Sequence, residues 1–350
     1  MIGLNDRQQM IVQFIKEKGT VANHEISTFL GQKGAVVSRI TLIRDLNELL
    51  ESGEIRQLGK GRNIRYEHSS RHPLLESVDV DSYFSQANRS KTRPPITFNH
   101  ETLDKFDNIL SKNEISILLK KNDEYQERII GLSPTLLKKE FERITIELSW
   151  KSSRIEGNTY SLIDTEMLIK EHKEAKGHSK EEANMILNHK KALDYIFSNR
   201  ERFKFISLRE VENVHRLLTD ELDIQTGIRS RAVGITGSHY RPLDNGQQIS
   251  EALEKTIKKI NSASDPWSMA LIALVMIAYV QPFEDGNKRT SRIVANACLI
   301  ANNICPLSLR SIDETEYKKA ITIFYELQNA AYMKKLFLEQ FDFAVENYFL

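Results

Sequence analysis

The residues with the clearest chemistry in this 350-residue sequence lie between Asp285 and Arg292. They follow the apolar run 269–280, turn through Gly286 and are predicted to begin a helix. A helix N-terminus presents unpaired N–H groups and partial positive charge, which together favour a phosphate. Arg289 and Arg292 are three residues apart, so both can fork onto phosphate oxygens, and Asp285 can hold Mg²⁺ together with such oxygens. The sequence therefore predicts a site for a nucleotide polyphosphate.

The same segment resembles the signature of the Fic family, HxFx(D/E)GN(G/K)R, which lies between two core helices of an all-helical fold. Every signature position except the first is matched by residues 281–292, QPFEDGNKRTSR, in which Gln281 stands in place of His. The resemblance implies a protein adenylyltransferase, which transfers AMP from ATP to a Ser, Thr or Tyr hydroxyl of a target protein. The resemblance implies that Asp285 holds Mg²⁺ or Mn²⁺ and that Asn287 holds the α-phosphate. It also implies that Arg289 and Arg292 hold the β- and γ-phosphates. Gly286 and Lys288 would complete the nucleotide site, and Phe283 would pack into the core.

A second resemblance lies upstream, where residues 152–158 read SSRIEGN. They are similar to the inhibitory motif (S/T)xxxE(G/N) of Fic proteins, with Ser152, Glu156, Gly157 and Asn158 at the motif positions. Ser152 and Glu156 are four residues apart and so share a helix face. The resemblance implies that Glu156 pairs with Arg292 and blocks the γ-phosphate of ATP, in a helix predicted over about 135–158. The alternative is a surface glutamate in an ordinary salt bridge.

Gln281 is the departure that bears on activity. The family His deprotonates the attacking hydroxyl, whereas a Gln amide can orient a hydroxyl but cannot accept its proton. Three interpretations stay open: an engineered inactive variant, a natural binding-only homologue, or an enzyme in which His239 or Glu156 supplies the base. His215, on an apolar helix face, is interpreted as a core histidine.

Glycines, β-branched residues and Pro242 break the helical pattern over residues 227–246 and predict a small β-hairpin flap. In the family this segment lies beside the active site and receives an extended target segment by strand addition. The residues expected to contact the target are Ile228, Val233, Gly234, Ile235, Thr236 and Gly237.

Residues 1–70 are predicted to form three helices and a basic hairpin, in an order that resembles a winged helix-turn-helix domain. The apolar residues expected to line one side of the third helix are Val37, Ile40, Leu42, Ile43, Leu46 and Leu49. Within residues 1–72, 11 Lys and Arg stand against 8 Asp and Glu. The resemblance implies binding to double-stranded DNA, with the third helix in the major groove. The expected contacts are Ser38, Arg39, Thr41 and Arg44 on that helix and Lys60, Arg62 and Arg65 on the hairpin. The alternative is a helical module for intramolecular docking or protein contacts.

The rest of the chain must position these residues, and its pattern is almost entirely helical. The first of its predicted helices covers residues 100–130 and the last covers residues 313–349. The predicted fold is mainly α: an all-helical Fic core over 100–350 with the hairpin flap, a linker over 71–99 around Pro94 and Pro95, and the small α+β winged-helix domain.

A net charge of +1 with 40% hydrophobic residues excludes a disordered or globally basic chain. Two cysteines give no disulfide framework, and the 12-residue apolar run 269–280 is too short to cross a bilayer. With no secretory signal in its first residues, the chain is expected to be cytoplasmic.

Two hypotheses from different classes follow. The first is an autoinhibited Fic-type adenylyltransferase whose partners are ATP, Mg²⁺ or Mn²⁺ and a protein that offers a hydroxyl side chain. The second is a DNA-binding transcriptional regulator with a catalytically degenerate, nucleotide-binding Fic core. Neither involves a membrane, and both leave a homodimer open.

Overall fold

A computed structural model describes residues 4–59, 61–68, 72–85 and 94–350. This part of the chain divides into two compact units. The smaller contains the described residues up to Pro73 together with Ser111–Ser116, and the larger contains Leu74–Leu110 and Ile117–Leu350. No helix within the described ranges is both long enough and apolar enough to span a membrane.

The N-terminal unit combines three helices with a three-stranded sheet. Its elements are α1 (Asp6–Lys18), β1 (Thr20–Ala22), α2 (Asn23–Gln32), α3 (Arg39–Glu51), β2 (Ile55–Leu58) and β3 (Arg65–His68). The strand order is β1-β3-β2 and both pairings are antiparallel. Side chains begin two of the helices: Asn5 caps α1 by accepting from the Gln8 N–H, and Ser38 caps α3 by accepting from the Thr41 N–H. The predicted hairpin over residues 55–68 is present.

The core face of α3 differs from the sequence expectation. Leu42, Leu46 and Leu49 are buried at the spacing of one helix face. Ile40 and Ile43, expected on the same face, are 81% and 39% exposed. A stripe through positions 42, 46 and 49 leaves position 40 on the other side of the helix, so a simple count of apolar residues overestimates this core.

The larger unit is mainly α-helical, as predicted. After α3 the described chain forms α4 (Val80–Ser85), α5 (Lys112–Gly131), α6 (Pro134–Ile155), α7 (Leu162–Glu171), α8 (Lys180–Ser198), α9 (Leu208–Leu218), α10 (Gly246–Asn261), α11 (Pro266–Val280), α12 (Asn287–Ala301), α13 (Glu314–Leu327) and α14 (Ala331–Asn347). Helix α11 lies at the centre, since every residue from Trp267 to Val280 is buried. It packs against α10 and α12, and the loop between α11 and α12 carries the predicted signature.

Two helix boundaries correct the sequence prediction. The helix expected over 100–130 is a 3₁₀ segment, His100–Phe106, followed by α5. The helix expected over 313–349 divides into α13 and α14 because Gln328 has a left-handed backbone, with φ of 48°.

The prediction of a linker over 71–99 is wrong for its described residues from Leu74 onwards. Leu74 is buried, and its carbonyl accepts from the Ala330 N–H at 2.6 Å. Tyr83, on α4, is also buried and donates its hydroxyl to Glu326 on α13. Leu74 and Tyr83 therefore pack into the larger helical unit, although the sequence around them has no helical periodicity.

The prediction of a β-hairpin flap is also wrong. Residues 228–239 contain no strand, and β5 (Tyr240–Arg241) pairs in parallel with β4 (Ile96–Thr97). The backbone of this segment has partners in other parts of the chain: the Arg229 N–H donates to the Pro282 carbonyl at 3.0 Å, and the His239 carbonyl accepts from the Ile96 N–H at 3.1 Å. The segment 228–239, called the flap below, is therefore an irregular segment tied to the signature loop.

The corrected face of α3 yields a stability prediction. We expect Leu46→Ala to lower the free energy of unfolding of the N-terminal unit by about 2–5 kcal/mol, because it leaves a cavity in the buried face. Ile40→Ala, the matched control, should change it by less than about 0.5 kcal/mol since the side chain is exposed. Hydrogen exchange of the α1–α3 amides measures both values, and equal costs for the two variants would contradict this assignment of the core face.

Candidate active site

The signature loop has a shape that depends on two left-handed residues. Gln281 ends α11 with φ of 51°, and its N–H donates to the Ile277 carbonyl at 3.2 Å. Gly286 precedes α12 with φ of 76°, and a Cβ there would lie 3.2 Å from Cγ2 of Thr219. Glycine is therefore favoured at position 286 by both its backbone conformation and its close neighbour.

Phe283 and Asn287 fix the middle of the loop. Phe283 is fully buried and stacks on His215, with ring centroids 3.7 Å apart. The Asn287 side chain accepts from the Phe283 N–H and donates to its carbonyl, both at 2.9 Å. His215 Nε2 lies 3.0 Å from the Asp285 carbonyl, and burial lowers the pKa of His215 to about 4. Since a carbonyl only accepts, Nε2 carries the hydrogen and the neutral imidazole donates to the loop.

Arg289 lies under the loop and is 3% exposed at its side chain. Its Nη1 donates to the Leu218 carbonyl at 3.3 Å, and its Nη2 donates to Asp285 Oδ2 at 3.2 Å. The Asp285 side chain itself is 72% exposed. A buried guanidinium and an exposed carboxylate thus stand together at the start of α12.

Arg292 lies at the centre of the predicted inhibitory contact, with a side chain that is completely buried. Glu156, at the C-terminal end of α6, accepts from Arg292 Nη2 through Oε1 at 2.8 Å. Its other oxygen, Oε2, lies 2.8 Å from Nζ of Lys288. Ser152 accepts from Arg292 Nε through its hydroxyl at 2.8 Å. One carboxylate thus bridges two cations of α12, and the sequence did not predict its contact with Lys288.

The charge state of Glu156 follows from these partners. Burial opposes ionisation of the carboxyl group, but the positive charges of Arg292 and Lys288 outweigh that effect and lower its pKa to about 2. Glu156 is therefore ionised at neutral pH. Gly157 continues the chain with φ of 101°, and Asn158 donates its side-chain amide to the Glu182 carbonyl at 2.8 Å. These contacts hold the turn that follows α6.

Gln281 has every polar atom of its side chain engaged. Nε2 donates to the Ala278 carbonyl at 2.6 Å and lies 3.4 Å from the Tyr325 hydroxyl, while Oε1 accepts from Asn287 Nδ2 at 3.0 Å. The Gln281 carbonyl accepts from Arg229 Nε at 2.7 Å. The side-chain amide of Gln281 therefore stabilises the loop. These contacts do not give the amide a basic site that could accept a proton.

The flap residues predicted to meet a target are accessible. Ile228, Val233 and Ile235 are partly exposed, while Gly234, Thr236 and Gly237 are exposed. The start of the flap and Glu284 line a cavity of about 170 Å³. Arg229 links the flap to the signature loop. The sequence pattern did not indicate this contact, because a single arginine in an irregular segment carries no periodic signal.

The residues predicted to contact DNA belong to the N-terminal unit. Arg39, Arg44 and Arg65 are exposed, as is Ser38, whereas Thr41 is partly buried. Lys60 and the side chain of Arg62 lie outside the described residues.

Comparisons with known proteins find similar sequences and similar folds. Residues 205–299 match the model of the Fic/DOC family. The chain is 26% identical over 260 residues to the protein adenylyltransferase Fic of Drosophila mojavensis, covering 73% of this chain and 51% of the relative. It is 25% identical over 206 residues to the protein of the same name from Nematostella vectensis, covering 57% and 48%. The chain thus spans about half the length of these curated relatives.

Solved structures share the fold. Fic-1 (residues 134–508) from C. elegans superposes with a TM-score of 0.57 at 21% identity, covering 68% of this chain and 72% of that one. A Fic domain-containing signaling protein from Bacteroides thetaiotaomicron gives a TM-score of 0.54 at 18% identity, covering 67% and 96%.

The lowered pKa of Glu156 predicts a pH dependence. Because the carboxyl group has a lower pKa when folded than its ordinary 4.5, its contribution to stability is complete above pH 4.5 and is lost as the pH falls towards 2. Glu156→Gln removes this contribution. We therefore expect the difference in unfolding free energy between wild type and Glu156→Gln to be constant above that range and to shrink below it. Denaturant titrations at several pH values measure this difference. A difference in unfolding free energy that stays constant down to pH 2 would contradict the ion-pair assignment.

Proposed function

We propose that the chain is a Fic-type protein adenylyltransferase that Glu156 holds in an autoinhibited state and that Gln281 makes slow. The observation that carries this proposal is the contact of Glu156 with both Arg292 and Lys288 at the start of α12. These cations follow the helix N-terminus at which a polyphosphate would bind. An ionised carboxylate on the same guanidinium competes with a terminal phosphate for the same donors.

The proposed reaction joins a target hydroxyl oxygen to the α-phosphorus of ATP. The bond between the α-phosphorus and the oxygen that bridges to the β-phosphate breaks, pyrophosphate leaves, and the hydroxyl proton passes to solvent. Arg289 and Arg292 would bind the β- and γ-phosphates. The side-chain amide hydrogens of Asn287 are used by Phe283 and Gln281, so Asn287 would support the α-phosphate mainly by shaping the loop. The first N–H groups of α12, which have no partner within the helix, would meet the phosphates directly.

Asp285 fits the proposed metal role because its exposed carboxylate offers an oxygen donor beside the phosphate site. Mg²⁺ or Mn²⁺ held there with phosphate oxygens would neutralise charge on the nucleotide. Among the described residues, no group of three or more His, Cys, Asp or Glu side chains is arranged to hold a metal ion.

The slow turnover follows from Gln281. Its amide cannot take the hydroxyl proton, and general-base catalysis contributes about 10²–10⁴-fold. Glu156 cannot replace it in this arrangement, since both its oxygens are paired with cations. The other candidate base is His239, whose backbone N–H donates to the Glu326 carboxylate of α13 at 3.0 Å. In this proposal the flap would receive the target segment beside the loop.

A labelling experiment tests this function. We expect the double variant Glu156→Gly, Gln281→His to transfer AMP from α-labelled ATP to itself or to a partner, at about 10²–10⁴ times the rate of Glu156→Gly alone. Gln281→His alone is the matched control and should stay near the wild-type rate, because Glu156 still occupies Arg292. No label from the double variant with Mg²⁺ or Mn²⁺ would refute the proposed activity.

A second function is proposed for the N-terminal unit: a winged helix-turn-helix that binds double-stranded DNA. The element order α1-β1-α2-α3-β2-β3 and the exposed Arg39 and Arg44 on α3 support it. Arg65, on the hairpin, would add a phosphate contact. The chain as a whole would then be a regulator that combines DNA binding with a nucleotide-binding core.

Salt-dependent binding to a fluorescent duplex pool tests the DNA proposal. Replacing Arg39 and Arg44 by Ala should weaken binding, and each lost phosphate contact should reduce the slope of log K against log salt by about 0.9. Lys18→Ala, an exposed basic residue at the end of α1, serves as the matched control and should have little effect. Equal effects of the two sets of variants would contradict binding through α3.

A further inference from the structure

Arg292 is held by more than its inhibitory partner. Its Nε donates to the Ser152 hydroxyl at 2.8 Å, and its Nη2 donates both to the Ser152 carbonyl at 3.0 Å and to Glu156 at 2.8 Å. Its Nη1 is buried and has no hydrogen-bond partner among the described residues. Glu156 therefore takes one donor of the guanidinium and Ser152 takes two. The guanidinium also lies over Tyr317, with Cζ 5.3 Å from the ring centroid, and no carboxylate or carbonyl accepts from Nη1 among the described residues.

His189, on α8, stands behind Ser152 and directs its hydroxyl. His189 Nδ1 lies 2.7 Å from the Met185 carbonyl, and its Nε2 lies 2.8 Å from Ser152 Oγ. Because a carbonyl only accepts, Nδ1 carries a hydrogen. His189 is fully buried, and mainly for that reason its pKa falls to about 3, so the ring is neutral and Nε2 is an acceptor.

The hydrogen-bond directions in this group are therefore fixed from one end to the other. The Ser152 hydroxyl donates to His189 Nε2, which leaves its oxygen to accept from Arg292 Nε, a group that can only donate. Each member is completely or almost completely buried, and hydrogen bonds in such surroundings are stronger than in water. Ser152 and His189 thus hold one edge of the guanidinium, while Glu156 touches a different part of it.

We propose that Ser152 and His189 are positioning residues that orient Arg292 to receive phosphate, and that Glu156 occupies the phosphate position without being needed to orient the arginine. This inference rests on the proposed function. When Glu156 leaves, Nη1 and the freed hydrogen of Nη2 form the fork offered to a terminal phosphate. A different role, in which Ser152 is only part of the inhibitory contact, predicts the opposite result, since removing Ser152 would then release Arg292 and strengthen nucleotide binding.

The experiment uses the full chain carrying Glu156→Gly and measures ATP and AMP binding by calorimetry with Mg²⁺. Adding Ser152→Ala removes a hydrogen bond to the charged guanidinium, and adding His189→Phe removes the acceptor that orients the Ser152 hydroxyl. Each change should weaken ATP binding about tenfold. AMP binding should be unchanged, because AMP lacks the terminal phosphates that Arg292 would bind. This split separates a positioning role from a general loss of structure.

Two variants complete the test. Ser152→Thr keeps the hydroxyl and should keep ATP affinity. Ser153→Ala removes the neighbouring buried hydroxyl of α6, which lies 3.4 Å from His189 Nδ1 and does not touch Arg292, and should also keep ATP affinity.

The results distinguish failure of the positioning role from failure of the proposed function. Unchanged or tighter ATP binding by Ser152→Ala and His189→Phe would overturn the positioning role, and so would equal losses for ATP and AMP. Failure of the Glu156→Gly parent to bind ATP at all would overturn the proposed function itself, and this inference with it.

Discussion

A buried guanidinium needs an anion, and the arrangement of this site follows from that constraint. Arg292 is completely buried on α12, where an uncompensated charge would be costly. In the structure its anion is Glu156, which comes from the end of α6, so the charge of α12 and the position of α6 depend on each other. Lys288 adds a second cation, which makes the carboxylate a stronger competitor for this position. A terminal phosphate could satisfy the same guanidinium, and the proposed inhibition is this exchange of one anion for another.

The loop that precedes α12 uses Gln281 structurally at the position where the Fic signature has His. Gln281 adopts the left-handed backbone that ends α11, and its side chain joins the loop to Ala278 and Asn287. The same amide that cannot take a proton thus stabilises the turn that precedes α12. In the proposed function, nucleotide binding and proton transfer are therefore separable, and a chain can retain the first while losing most of the second.

The sequence predicted what depends on local spacing and missed what depends on tertiary contacts. The helices on either side of the loop follow from the apolar run 269–280 and from Gly286, and the Glu156–Arg292 contact followed from two motifs. His189, Arg229 and the contact of Lys288 with Glu156 carried no comparable signal, because each acts on a residue far away in sequence. The segment after Leu74 and the flap were misassigned for a related reason: their backbone partners belong to other parts of the chain.

Calorimetric titration of the full chain with ATP and Mg²⁺, comparing wild type with Glu156→Gln, tests whether the carboxylate competes with the nucleotide for Arg292. The substitution keeps the shape of the side chain and removes its charge, so it weakens the contact with Arg292 with little other change. If carboxylate and phosphate compete for one guanidinium, Glu156→Gln should bind ATP at least about tenfold more tightly than wild type. Equal affinities in the two folded proteins would show that Glu156 does not compete with the nucleotide, and would contradict the account.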